Sequence, residues 1–276
     1  MTPAQTDRAQ DAKAARYAVR RRPSPVTAVV PVKDLDLAKS RLALPAHQRR
    51  QLALAFATDT LSALARCPDV AAIIVVTADP DVVALAATVG ARVVPDETDS
   101  LDGAIGAAVA VAVAVAVAAS AARDLPDIGV LITPSDLPCL RADDVTEVLR
   151  QASGHPGAFV PDRSGTGTTM VIYAPGQPVV TGYGGESAAR HTGLGLYAVP
   201  AAPIRTRHDV DTLEDLLAAA ALGLGEATAP LLGQSPALMG HQSDSGVEPD
   251  AGRQPDAGVK PDIDPDHTAY ALERSS

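Results

Sequence analysis

Leu131-Ile132-Thr133-Pro134-Ser135-Asp136-Leu137-Pro138 carries an apolar run into a turn bounded by two prolines and delivers one carboxylate there. The run from Ile128 to Thr133 reads as a strand, and Ala142 to Gln151 behind it reads as a helix, the alternation of parallel strands joined by crossover helices. The chain before it has the same rhythm. Thr27 to Val32, Leu52 to Arg66, Ala72 to Thr77, Asp81 to Val89, Ala91 to Val94 and Gly103 to Ala122 read βαβαβα. After it come short runs at Gly157 to Val160, Thr168 to Tyr173 and Gly195 to Val199 with few helices between them, so antiparallel pairing is expected at one edge. The fold class is α/β, a single domain with a mixed, mostly parallel sheet flanked by helices.

The boundaries follow from composition. Residues 1–25 are polar, Ala-rich and basic, and residues 225–276 are rich in Pro, Asp, Gly and Ser, with a repeated Pro-Asp-Ala-Gly unit at Pro249 to Gly252 and Pro255 to Gly258. Such segments have little to bury and are expected to be disordered tails on a domain spanning 26–224. The last tail reads as a solubilising extension, or as an acidic segment that binds a partner or metal. From Gly103 to Ala122 no residue is charged, a length that suits a membrane span. Its content is Ala and Val without Leu, Phe or Trp anchors, which favours a buried helix, and strands rarely exceed about 10 residues.

Composition excludes several function classes. Aromatic residues make up 3% of the chain, Trp is absent and the formal charge is −10. Stacking platforms for single-stranded nucleic acid are therefore missing, and the charge repels a polyphosphate backbone, so no nucleic-acid partner is expected. Cys67 and Cys139 stand far apart with no second pair, which is neither a disulfide framework nor a zinc spacing. The basic N-terminus is not followed by an apolar segment and cleavage site, so a cytoplasmic location without membrane attachment is expected.

In an open parallel sheet, ligands collect beyond the carboxyl ends of the strands. After the first strand, Lys33, Lys39 and Arg41 stand in a segment without helical periodicity. They suit a triphosphate cradle or a solvated basic loop equally. Neither a P-loop nor a Gly-x-Gly-x-x-Gly fingerprint is present, which argues against a dinucleotide-dependent dehydrogenase. Asp136 is poised for a divalent cation or for capping the next helix, and Asp143 and Asp144 are nearer candidates for that cap. In Arg207-His208-Asp209-Val210-Asp211-Thr212 the two aspartates share one face of an extended segment. Capping of the next helix explains one of them, whereas a cation explains both. Gly-rich stretches at Asp162 to Thr169 and Gly182 to His191 allow close backbone approach to a ligand, and the first also reads as a hairpin turn. A helix start near Glu186, with the Ser187 hydroxyl, suits an anionic acceptor. His191 reads as a structural residue or an anion contact.

Five motifs in this order resemble the CofC/FbiD family: Val30-Pro31-Val32-Lys33 with Ala38 to Leu42, Ser135 to Pro138, Gly165 to Thr169, Gly184-x-x-Ser187-x-x-x-His191, and Asp209 to Thr212. Together they cover about residues 26–222. The resemblance implies a nucleotidyltransferase of GT-A, Rossmann-like architecture that couples GMP from GTP to phosphoenolpyruvate or 2-phospho-L-lactate in the biosynthesis of coenzyme F-420. It implies Mg²⁺ held by Asp136, Asp209 and Asp211, GTP contacts at Lys33, Lys39, Arg41 and Asp102, and an acceptor site at Thr169, Gly184 and Ser187. Asp136 and Lys33 are the candidate catalytic residues. The next transferase of that pathway is a candidate partner. Where the family carries Leu-Asn-x-Ala-Leu, this chain has Leu101-Asp102-Gly103-Ala104-Ile105. The rival readings are a transferase acting on a sugar phosphate or pterin, with CTP in place of GTP, and a non-catalytic nucleotide-binding protein.

Overall fold

A computed structural model describes residues 23–95, 128–180 and 182–233. The stretch Gly103 to Ala122, Asp102 and most of both expected tails lie outside the described residues.

The strands are β1 (Val26–Pro31), β2 (Val70–Val76), β3 (Arg92–Val94), β4 (Gly129–Ile132), β5 (Gly157–Pro161), β6 (Thr168–Tyr173) and β7 (Tyr197–Ala198). The helices are α1 (Ala46–Arg66), α2 (Pro80–Thr88), α3 (Ala142–Ala152), α4 (Ser187–Gly193), α5 (Leu213–Leu222) and α6 (Ala229–Gly233), with a 3₁₀ turn at Ile204–Arg207. The strands form one sheet in the order β3-β2-β1-β4-β6-β5-β7. β1 pairs in parallel with both β2 and β4, and β2 with β3. Every position of β4 and all of β1 but Pro31 are buried, as expected of strands covered on both faces.

The antiparallel pairing differs from the sequence expectation. β6 runs against β4 on one side and β5 on the other, inside the sheet, while the terminal strand β7 pairs in parallel with β5. The hairpin at 162–167 explains this, because a tight connection can only return the chain beside its own strand. Asp162 N donates to Gly167 O at 3.0 Å, and Gly165 takes the positive φ that the turn requires.

Alternation along β1 splits the core. Ala28 and Val30 face a cluster with Leu61 and Leu64 of α1 and Val145 and Val148 of α3, whereas Val29 faces Val130, Phe159 and Val171. In α1 the buried Leu52, Phe56, Thr60 and Leu64 recur every four residues, which gives one continuous face. A third cluster joins Leu52 and Phe56 to Val210, Leu216 and Ala219, with Leu231 and Leu232 packed against it.

That third cluster moves the expected C-terminal boundary. The packed chain runs past 224 through Gly233, because it meets a polar anchor as well as apolar surface. Gly225 N donates to Pro138 O at 2.8 Å, and the buried Asp59 carboxylate accepts from Ala227 N and Thr228 N at 2.9 and 3.0 Å. Both cysteines are free and buried. No helix among the described residues is long and apolar enough to cross a membrane.

Candidate active site

β1 lies between β2, which it reaches through α1, and β4, so the direction of winding reverses between β1 and β4. The crevice beyond the carboxyl ends of those two strands is where such sheets bind ligands. The loops that leave them, 32–45 and 133–141, carry most of the candidate residues.

The loop after β4 is held by neutral, buried contacts. Thr60 Oγ1, on α1, donates to Ser135 O at 3.1 Å and accepts from Leu137 N at 3.1 Å. Val210 N donates to Asp136 O at 3.1 Å, which draws the Asp209–Asp211 segment alongside. Neither helix start nearby claims these aspartates. Asp144 accepts from Arg141 N at the start of α3, and Thr212 with Asp215 forms a reciprocal cap on α5.

The loop after β1 is held by charge. Asp79 is buried and accepts from Leu35 N at 3.2 Å, and Arg50 forks onto it at 3.0 and 3.2 Å while also reaching Asp36 and Asp81. Lys39 sits in the left-handed region at φ 57°, an unusual conformation for a residue with a Cβ. Its side chain, 9% exposed, turns inward, and Nζ lies 2.5 Å from Asp136 Oδ2 and 3.1 Å from Asp211 Oδ1. Arg41, largely exposed, reaches Asp211 Oδ2 at 3.7 Å.

The electrostatics follow from this crowding. Burial works against the Lys39 ammonium, but Asp136 and Asp211 outweigh it and raise its pKa. Burial, with the charges of Asp136 and Asp211, pushes the Asp209 carboxyl up to about 7. Asp136 Oδ1 is buried with no hydrogen-bond partner. A cavity of about 430 Å³ opens here, lined among others by Lys33, Lys39, Asp136, Tyr183, Gly184 and Asp211. That is ample for a small anionic ligand. A second cavity, about 480 Å³ beside α1 and α3, is lined by Asp59, Arg66, Arg141 and Glu226 and holds none of the candidate residues.

The glycine-rich wall of the site is pinned from behind. His191 Nε2 accepts from Gly182 N at 3.0 Å, which leaves Nδ1–H to donate to Thr168 Oγ1 at 2.9 Å. Burial, then the nearby Arg190 charge, lowers its pKa to about 4, so the ring is neutral. His191 is therefore structural, and the anion-contact reading falls. Tyr183 stands edge-on to that ring and donates to Ile132 O, the last residue of β4, at 3.1 Å.

The structure thus lines one cavity with Lys33, Lys39, Asp136, Asp211 and Gly184, with Arg41 reaching Asp211 and Asp209 near enough to feel the charges of Asp136 and Asp211. Two expected acceptor residues lie deeper. Thr169 is buried and donates to Thr206 O at 2.6 Å, so its hydroxyl steadies the 3₁₀ turn that leads to Asp209. Ser187 is buried at the start of α4 behind the Gly184 wall. Thr60, Arg50, Asp79 and Tyr183 were not anticipated. The available signal was a polar pair, Asp59-Thr60, inside the otherwise apolar face of α1.

This sheet, with cations and carboxylates gathered at its winding reversal, is an arrangement suited to nucleotide transfer, and a family match places the chain among the nucleotidyltransferases. Its architecture matches a crystal structure assigned as a nucleotide-diphospho-sugar transferase from Desulfovibrio desulfuricans, with a TM-score of 0.56 at 17% identity over 79% of this chain and 98% of that one. The chain belongs to the CofC-like guanylyl transferases, whose family model matches residues 26–228. It is 44% identical over 214 residues to a phosphoenolpyruvate guanylyltransferase of Thermomonospora curvata, covering 76% of this chain and 89% of the relative. It is 43% identical over 209 residues to one from Streptomyces coelicolor, covering 74% and 93%.

Proposed function

We propose that this protein transfers GMP from GTP to phosphoenolpyruvate and releases pyrophosphate, as a step of coenzyme F-420 biosynthesis. The acceptor follows the names of its relatives, and the observation that carries the chemistry is the meeting of Lys39 with Asp136 and Asp211 in one cavity. The transferase that consumes the product is its expected protein partner.

The residues suit Mg²⁺. Among the described residues no group of three His, Cys, Asp or Glu side chains forms a ready cage. Mg²⁺ does not require one, since it takes one or two carboxylates and keeps phosphate and water as its other ligands. The unpartnered, buried Oδ1 of Asp136 is free to ligate a cation, and burial together with the charges of Asp136 and Asp211, which raise the Asp209 pKa, favours one beside these carboxylates. Its carboxylate ligands would come from among Asp136, Asp209 and Asp211. When bound, the ion neutralises charge on the triphosphate.

Lys33, Lys39 and Arg41 pair with the phosphates of GTP and offset the repulsion between two polyanionic substrates. The resemblance implies that Asp102 would contact the nucleotide. Gly184, with no side chain, lets the acceptor lie against the backbone opposite the lysines, with Ser187 and Thr169 supporting that wall and the aspartate segment. An oxygen of the acceptor's phosphate attacks the α-phosphorus, and the bond from that phosphorus to the oxygen bridging the β-phosphate breaks. The phosphate is already anionic, so no general base is needed. Catalysis rests on alignment and charge.

Pyrophosphate release is the assay, with GTP, Mg²⁺ and phosphoenolpyruvate or 2-phospho-L-lactate, and with CTP, ATP and UTP in parallel. GTP with phosphoenolpyruvate should turn over fastest. Silence with both acids would reject the acceptor class, and a preference for CTP would reject the nucleotide.

A further inference from the structure

We infer that Thr60 is the positioning residue of Asp136: its hydroxyl fixes the two peptide groups flanking that aspartate and so sets where the carboxylate stands in the site. The inference rests on the role proposed above for Asp136.

Helical threonines ordinarily spend the hydroxyl on their own helix. Thr58, one face away on α1, does so by donating to Leu54 O at 2.8 Å. Thr60 bonds out of the helix, donating to Ser135 O and accepting from Leu137 N, each at 3.1 Å. One hydroxyl thereby uses both its donor and its acceptor on a chain segment 75–77 residues away. It is fully buried, so water cannot take its place without opening the core.

The geometry leaves Asp136 little freedom. Leu137 is buried beneath the turn, prolines stand at 134 and 138, and Val210 N holds the Asp136 carbonyl. Of the three hydrogen bonds to the two peptide groups flanking Asp136, Thr60 makes two. Without its hydroxyl the Ser135 carbonyl and the Leu137 amide lose their partners, and the one hydrogen bond left to the peptide groups flanking Asp136 is that from Val210 N. A carboxylate displaced by about 1 Å in such a site costs on the order of a hundredfold in rate.

The experiment compares the full chain with Thr60→Val, which keeps the shape, Thr60→Ala, which removes the hydroxyl without β-branching, and Thr60→Ser, which restores it. Binding of Mn²⁺ in the presence of GTP is followed by electron paramagnetic resonance, and turnover by pyrophosphate release. Thr60→Val and Thr60→Ala should weaken Mn²⁺ binding by about tenfold and lower kcat by roughly 10–100-fold, with GTP KM changed less than about threefold. Thr60→Ser should bring both back to within about threefold of wild type. A merely structural threonine would lower Tm while leaving Mn²⁺ affinity and kcat of the folded fraction at wild-type values, and that result overturns the inference. If Thr60→Val does not fold, Thr60→Ala against Thr60→Ser decides it. A wild type that binds Mn²⁺ and GTP but releases no pyrophosphate with either acid rejects the acceptor reading, and the resonance measurement still judges Thr60.

Discussion

The two loops that leave β1 and β4 face each other across one crevice but are secured by opposite means. The 133–141 loop hangs on neutral bonds inside the core, from Thr60 and Val210, and carries a short side chain that has one place to be. The 32–45 loop hangs on the Arg50–Asp79 fork near the surface and carries lysines and arginine, whose long stems can adjust to a ligand. Short carboxylates need their backbone fixed, because they have few bonds with which to correct an error. Long cations tolerate a backbone that gives. The chain has placed its stiffer anchor under the side chain that can adapt least.

Asp136→Asn should produce the largest effect, a loss in kcat of roughly a thousandfold or more with the fold retained, measured by pyrophosphate release and circular dichroism. Arg50→Ala should act on the other loop and through binding, raising GTP KM by about tenfold while kcat changes less. Asp79, left without its fork, should also lower Tm. The contrast between the loops fails if Arg50→Ala lowers kcat as deeply as Asp136→Asn does with GTP KM unchanged.

What the sequence disclosed, and what it withheld, divides along the same line. Strands built from β-branched runs, and aspartates standing just past a strand end or just before a helix, are local features, so Asp136, Asp209 and Asp211 could be singled out. Their meeting is non-local, and it was implied by the resemblance to the CofC/FbiD family rather than by any local pattern. The polar pair Asp59-Thr60 marks a place on α1, but the role of Thr60 was out of reach because its partners lie 75–77 residues away and no local feature tells that it bonds out of its helix whereas Thr58 bonds within it. The segment 225–233 read as tail because composition cannot show that the Asp59 carboxylate, 168 and 169 residues distant, accepts its amide hydrogens. Thr169 read as an acceptor contact within a glycine-rich motif, but its hydroxyl is taken by the Thr206 carbonyl. The interior place of β6 was hidden for another reason: a period-two pattern is the same whichever way a strand runs.

The glycine-rich wall offers a third anchor, weaker than either loop's, and pH can test it. His191 titrates at about 4 when folded against an ordinary value of 6.5, so the folded protein binds fewer protons than the unfolded chain between those limits. Its contribution to stability is whole above pH 6.5 and is lost as pH falls toward 4. Protonation also turns Nε2 from acceptor to donor, and the bond from Gly182 N then breaks. Thermal unfolding across that window should show Tm falling more steeply with acid in the wild type than in His191→Gln, whose amide does not titrate. Because the wall carries Gly184 and none of the lysines or aspartates proposed to hold GTP and the metal, the same variant should raise acceptor KM by a few fold and leave GTP KM nearly as it was. Equal slopes in the two proteins would show that His191 is not the residue through which acid loosens this wall.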